Sequence, residues 1–391
     1  MAATIDAPAY TVEVDFGAGY VTVPNLRTLW VKRGRQDQLA DIQAGECVVL
    51  LGNPTGDLSP DNAGGSHYPN VEPLRPFRLS ATYNALTYRL FTGYVQEWRP
   101  VDNTVVDSDV AIHAIDFFKQ LNLATLTTSL PAQDEQARIG AVLDAVTTAG
   151  LTRNLDAGLE PVLAATLVQV KALRHIQEVL AGERGIFFVA GDGQLTFHNR
   201  HHRYVTAAGY TSQATFGQSA GQLYYLGLEY VLDDQYIYND IQVNPSGTGE
   251  GIQVAGDATS KGKYWPRTLG VDAPWLAAGQ GATLAGWLLY CYKDKHPRMP
   301  SITLDAEANT AGLHPQQLGR ELGDRITVLK SGPGSLGINR DLWIEGIEHS
   351  YDAGGARGLV TKWLLNDVGL GGPTPFRLQL SALNSGDVLI Y

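Results

Sequence analysis

The sequence predicts a mainly β fold with α+β insertions, and three observations predict it. Glycine is abundant, at 43 residues, and stands with 18 tyrosines, a composition suited to short strands joined by many turns. An alternation of apolar and polar residues, the period of a half-buried strand, recurs in both the first and last thirds of the chain. A helical period replaces it in the middle. At 391 residues the chain is long enough for roughly two to four domains, each burying its own core.

Residues 1–122 form the first β region. RLSATY from Arg78, YRLFTGYV from Tyr88 and VAIHAID from Val110 alternate in the strand period between turn-forming residues, as an antiparallel meander does. The stretch 52–76 interrupts them with Gly, Pro and Asn, too irregular for a strand and too long for a hairpin; loops of this length usually carry a contact. Residues 123–219 read as an α+β domain. A helix is expected from Asp134 to Ala149, with Ile139, Val142, Leu143 and Val146 on one face and Gly150 as C-cap. A second is expected from Thr166 to Ala181, burying Leu173, Ile176 and Leu180 and stopping at Gly182. IFFVA from Ile186, the turn Gly191-Asp192-Gly193 and QLTFH from Gln194 then make a hairpin.

Residues 220–250 and 301–369 form the second β region, beginning with a strand from Tyr230 to Val243. The intervening 251–300 is an insertion around a helix, Ala282 to Tyr292, whose Leu284, Trp287, Leu288, Leu289 and Cys291 make it apolar nearly all round and therefore buried or docked. Residues 370–391 are a C-terminal extension. The two β regions also correspond in pattern. RLSA from Arg78, LFTGY from Leu90 and VAIH from Val110 recur in order as RITV from Arg325, WIEGI from Trp343 and VTKW from Val360.

Composition narrows the function. The 44% hydrophobic and 18% charged residues are those of a folded globular protein, and the net charge of −11 argues against a stable grip on nucleic acid. Residues 1–10 lack the basic and apolar runs of a secretory signal, and no apolar stretch reaches the roughly 20 residues of a membrane span. Cys47 and Cys291 match neither a disulfide framework nor a zinc spacing and read as buried small hydrophobes.

His198, His201 and His202 cluster in HNRHHR, but the neighbouring Arg200 and Arg203 disfavour a metal; the run reads as a solvated strand end, better suited to an anion than to a metal if it binds anything. Gly17-Ala18-Gly19 lacks the third glycine of a dinucleotide fingerprint, and Gly191-Asp192-Gly193 joins two strands, so both are turns. Asp233 with Asp234, Glu345 with Glu348, and Asp15 with Glu13 are the available carboxylate pairs, read as charged strand faces. Tyr224, Tyr225, Tyr236, Tyr238, Trp265 and Trp275 could stack sugars, but aromatics on strands more often fill cores and interfaces. With no P-loop or HExxH present, the chain is expected to be no enzyme, with no catalytic residue, metal or cofactor.

WVKRGRQDQLADIQAGECVVLLGNPTGDLSPDN from Trp30, Leu90-Phe91-Thr92-Gly93, the hairpin ending Gly193-Gln194-Leu195-Thr196-Phe197, and Leu322-Gly323-Asp324-Arg325-Ile326 together carry a resemblance. In this order of elements the chain resembles the bacteriophage tail-tip or baseplate hub proteins that cap tail tubes. The resemblance implies two tail-tube-like antiparallel β-barrels, the α+β domain between them and a lateral insertion in the second. It also implies a homotrimer forming a pseudo-six-fold ring at the tail tip of a virion. The tail tube or a distal tail protein would lie above, tip, fibre or spike proteins below, and DNA would pass through a lumen lined by like charge. Two alternatives differ in class: a receptor- or carbohydrate-binding tail protein using the 52–76 loop, and a tail-associated cell-wall hydrolase.

Overall fold

The computed structural model describes residues 7–102, 108–146, 150–331, 337–355 and 357–368; the expected C-terminal extension lies outside them. The fold is mainly β, 42% strand and 20% helix.

Seven strands make the first set: β1 (Ala9–Asp15), β2 (Tyr20–Val23), β3 (Leu26–Gly34), β4 (Gln43–Gly52), β5 (Pro76–Tyr83), β6 (Leu86–Asp102) and β7 (Ser108–Ile115). They pair antiparallel in the spatial order β2-β1-β5-β6-β7-β4-β3. Alternation sets the faces. In β4, Gly45, Cys47, Val49 and Leu51 point inward while their neighbours stay half-exposed. All seven strands feed one core, so the sheet curls around it. The 52–76 loop belongs to that core through Leu58 and Val71. Asn53 pins it by accepting from the Leu58 N–H, and His67 stacks on Phe16 at 3.9 Å.

The middle of the chain holds α1 (Phe118–Leu123), β8 (Thr125–Leu130), β9 (Gln133–Asp134), α2 (Glu135–Ala145), β10 (Arg153–Leu155), β11 (Pro161–Val162), β12 (Ala165–Lys171), α3 (Ala172–Glu183), β13 (Ile186–Val189) and β14 (Leu195–His198). Asp134 caps α2 by accepting from the Ala137 N–H, and Ile139, Val142 and Leu143 are buried as expected. The helix is shorter than expected: Val146 is already extended, and Gly150 is not its cap. The second helix starts six residues late. Thr166, Val168 and Val170 are β-branched and alternate, so 165–171 pairs as a strand with β8 before the helical run of Ala172, His175, Ile176 and Val179 begins. It also runs past Gly182, ending on Arg184 in the left-handed region at φ 67°. The hairpin β13–β14 forms as predicted.

Beyond it follow α4 (His202–Val205), α5 (Ala207–Tyr210), β15 (Thr215–Phe216) and β16 (Gly227–Leu228), then β17 (Asp240–Asn244), β18 (Gln253–Gly256), α6 (Ala258–Tyr264), β19 (Thr268–Asp272) and α7 (Gln280–Tyr292). β20 (Ser301–Asp305), α8 (Thr310–Gly319), β21 (Arg325–Lys330), β22 (Ile338–Asp352) and β23 (Val360–Asp367) complete the fold. The expected long strand from Tyr230 is not one strand. Only Asp240–Asn244 of its distal part is extended in a ladder, and it pairs with β18 and β19 in a three-stranded sheet on which α7 packs. The middle helices share one continuous core with the second strand set.

The second set lies in the order β16-β20-β23-β22-β21-β15. The first, leaving aside β2, is β3-β4-β7-β6-β5-β1. Taken in chain order, β1, β3, β4, β5, β6 and β7 thus match β15, β16, β20, β21, β22 and β23 in both sequence and space. The three-strand correspondence read from the sequence falls on β5-β6-β7 and β21-β22-β23. The end pair differs, β1 running antiparallel to β5 and β15 parallel to β21. Pairing of β22 with β3, from Gly346 opposite Gly34 to Asp352 opposite Thr28, joins the sets into one thirteen-stranded sheet. Closed barrels were expected. The ladders among the described residues instead leave the sheet open, with β2, β15 and β16 at its ends, β15 meeting the segment before β16 through the isolated bridge of Phe216 with Leu223. Curling nevertheless brings β1 back toward β22, where the Tyr10 and Tyr351 rings lie 4.5 Å apart.

Candidate functional site

The place where the two strand sets meet is built from charged residues. In β3 the inward face runs Leu29, Val31, Arg33, so alternation carries an arginine into the interior at the strand's end. Gly34 then turns the chain at φ +97°, and the Arg35 N–H donates to the Glu345 carbonyl at 2.9 Å. On β22, the residues before 344 pair with β21 and those after it with β3, while β23 flanks both halves on the other side. A bulge between Ile344 and Gly346 marks the handover. It turns the Glu345 side chain into the interior.

Glu345 is 1% exposed there, held from both sides. The Arg35 Nε donates to one carboxylate oxygen at 2.8 Å and the Arg203 Nη1 to the other at 2.7 Å. Burial alone would raise the Glu345 acid, but the Arg203 and Arg35 guanidiniums outweigh it and hold it at about 2. Arg203 also lies over the Trp343 ring at 4.9 Å, and the Trp343 indole N–H donates to the Gly209 carbonyl. A carboxylate so saturated has no proton to exchange near neutral pH. Its chemistry is that of a clamp joining the first set, α4 and the second set.

A second polar contact reinforces the clamp. Arg33 donates to Glu321 at 2.8 Å, and the other Glu321 oxygen accepts from the Gly191 N–H at 3.2 Å. The Gly191 carbonyl in turn accepts from the Thr92 hydroxyl at 3.0 Å. The Gly191-Asp192-Gly193 turn is therefore also a docking point; a Cβ on Gly191 would stand 2.3 Å from the Arg89 carbonyl oxygen. A cleft of about 460 Å³ opens beside it, lined by Arg33, Tyr88, Arg89, Gly191, Arg320 and Glu321. Its guanidiniums are engaged: Arg33 with Glu321, Arg89 with Glu13 and Arg320 with Asp324.

The histidine run is not a solvated strand end. His198 and His202 stack at 3.4 Å, His202 shares a 2.8 Å hydrogen bond with Asp156, and Arg203 is buried. Burial, with His202 beside it, lowers His198 to about 3. The anions this run holds are internal, Glu345 for Arg203 and Glu160 for Arg200, the latter at 2.5 Å. Among the described residues no group of three His, Cys, Asp or Glu side chains is placed to hold a metal.

The other carboxylates are engaged too. Asp233 pairs with Arg298 and Asp234 with Arg267, Glu348 lies 3.4 Å from Lys32, and Asp15 accepts from the Gly17 and Gly19 N–H groups. Glu345 and Glu348 thus serve different partners. Both cysteines are free and buried, and burial raises both thiols, Cys291 to about 12. The aromatics divide: Tyr236 donates to Asp37 and Trp275 to Glu178, whereas Trp265 is 80% exposed. Sequence reading missed Glu321 and the buried Glu183. For Glu345 and Arg35 a signal existed, since each is a charged residue next to a glycine at a strand bend.

No family model and no curated protein matches the chain. Solved structures do, over nearly its whole length. A tail protein of Neisseria meningitidis superposes with a TM-score of 0.63 at 11% identity, over 93% of this chain and 98% of that one. The 43 kDa tail protein of prophage MuSo2 from Shewanella oneidensis gives 0.58 at 12% identity, over 91% and 98%. An Escherichia coli type VI secretion component, described as structurally similar to the T4 tail proteins gp27 and gp5, gives 0.52 at 8% identity, over 92% and 77%. The chain has the fold of these tail proteins. The resemblance seen in the sequence holds at that level.

Proposed function

We propose that the chain is a structural hub of a phage-like tail tip, a trimer in which each subunit supplies two copies of one strand plan to a pseudo-six-fold ring. The observation that carries this reading is the duplication: six strands matched in chain order and in space, fused through β22 and β3 into one sheet. Two like units per chain are what three chains need to face a six-fold tube. In this reading residues 1–122, and 220–250 with 301–369, are the tube-like units. Residues 123–219 brace them and 251–300 project laterally. The clamp at Glu345 fixes the angle between the two units, a structural role with no catalysis.

The ring would join the tail tube or a distal tail protein to tip, fibre or spike proteins in the virion and leave a lumen for DNA. The net charge of −11 suits a passage that DNA traverses without sticking. Native mass measurement of the purified protein, followed by electron microscopy, tests this directly. A trimer with a central opening is expected. A chain that stays monomeric at all concentrations and with a tail-tube partner would remove the reading.

A further inference from the structure

β16 ends a path of the thirteen-stranded sheet; Leu223, ahead of it, bridges to Phe216 of β15, and beyond that bridge no described strand pairs with the outer edge of β16. The segment around it is held to the neighbouring strand by the Leu226, Glu229 and Val231 N–H groups, which donate to Thr303, Ser301 and Arg298. Within nine residues it exposes four large apolar side chains: Tyr224 at 49%, Leu226 at 51%, Tyr230 at 44% and Leu232 at 55%. A free edge with an apolar stripe templates another strand, and folded proteins ordinarily cover or charge such an edge.

The chain carries a segment suited to cover it. Residues 376–381 read Phe-Arg-Leu-Gln-Leu-Ser, apolar at Phe376, Leu378 and Leu380 and polar between, the period of a strand with one apolar face. Position favours it as well. β23 ends at Asp367 and is separated from β16 only by β20. Ser301 pairs with Leu364 and Arg298 bridges to Val231, so the chain leaves β23 at the end of the sheet where Tyr230 and Leu232 stand. The added strand lies three strand spacings from β23, about 15 Å, and residues 369–375 span up to about 23 Å when extended. The reach is sufficient.

We propose that residues 376–381 add to the outer edge of β16 of their own chain as an antiparallel strand, with Phe376 opposite Leu232 and Leu378 opposite Tyr230. The apolar positions of the two segments then lie side by side as cross-strand neighbours. The proposal does not depend on the ring reading, because its partner is the same chain.

Two measurements on the full chain test it. Hydrogen exchange of residues 224–232 should rise about tenfold or more when residues 370–391 are deleted, and equally when Phe376→Asp, Leu378→Asp and Leu380→Asp are combined. Unchanged exchange overturns the proposal. The pair Tyr230→Cys with Leu378→Cys, mildly oxidised, should form an internal disulfide visible as a faster-migrating monomer, since directly opposed strand residues meet the geometry. Linked dimers or trimers would place the segment on another copy, and no link would place it elsewhere. Either result overturns the assignment.

Discussion

Glu345 accepts a 2.8 Å hydrogen bond from Arg35, 310 positions earlier in the chain, and this pair sits where β22 changes partner from β21 to β3. Because Arg203 holds the other oxygen, removing the carboxylate strands two interior guanidiniums together. Breaking a buried charge pair from one side costs about 3–5 kcal/mol. Glu345→Ala should therefore destabilise the protein by that amount in chemical denaturation. In a double-mutant cycle, Arg203→Ala added to it should cost much less than it does alone. A loss below about 1 kcal/mol for Glu345→Ala would mean that the clamp contributes no more than a surface pair.

The same carboxylate predicts an acid limb. Its folded value of about 2 lies below the ordinary 4.5, so its stabilisation is complete above about 4.5 and is lost as pH falls toward about 2. The stability difference between the native chain and Glu345→Gln should shrink across that window. Denaturation midpoints taken at several pH values check it.

Glu183 should behave in the opposite way. Burial raises it to about 8, despite its acceptance of the Arg200 N–H at 2.8 Å. A carboxyl raised on folding makes the folded state lose stability as pH rises from the ordinary 4.5 to about 8. Glu183→Gln keeps an acceptor for that N–H and removes the charge. The variant should gain on the native chain by roughly 2–4 kcal/mol across that range, with no gain at the acid end.

Gly34 is a backbone requirement of the junction. It has φ +97°, and a Cβ there would stand 2.3 Å from the Glu345 carbonyl oxygen. Gly34→Ala should cost about 3 kcal/mol or more, since the left-handed turn and a main-chain clash act together. Gly262 in α6 is the contrasting position, with nothing within 4 Å of an added Cβ. Gly262→Ala should be neutral or stabilising by up to about 1 kcal/mol. Equal losses at both positions would contradict the geometry.

Much of the architecture is written in local pattern. The alternation in β5 to β7, the Ile186–His198 hairpin and the apolar α7 stand where the period of two, the Gly-rich turn and the all-round hydrophobicity place them. The correspondence of RLSA, LFTGY and VAIH with RITV, WIEGI and VTKW was also readable, because each strand carries its own spacing. Helix boundaries were less so. Leu173, Ile176 and Leu180 fit a helix starting at Thr166, but a ladder to β8 captured 165–171 first.

What the sequence determined by itself was therefore the mainly β class, the three-strand correspondence between its two β regions and the central hairpin. What only the tertiary structure decided was which charges meet. Arg35, Arg203 and Glu345 lie on three separate elements, and nothing local couples them. Their union depends on the register of β22 against β3 and on one bulge, and register follows from how whole apolar faces pack. An arginine-rich strand end and a strand glutamate, each legible as solvated charge, become the interior junction of two strand sets in one sheet.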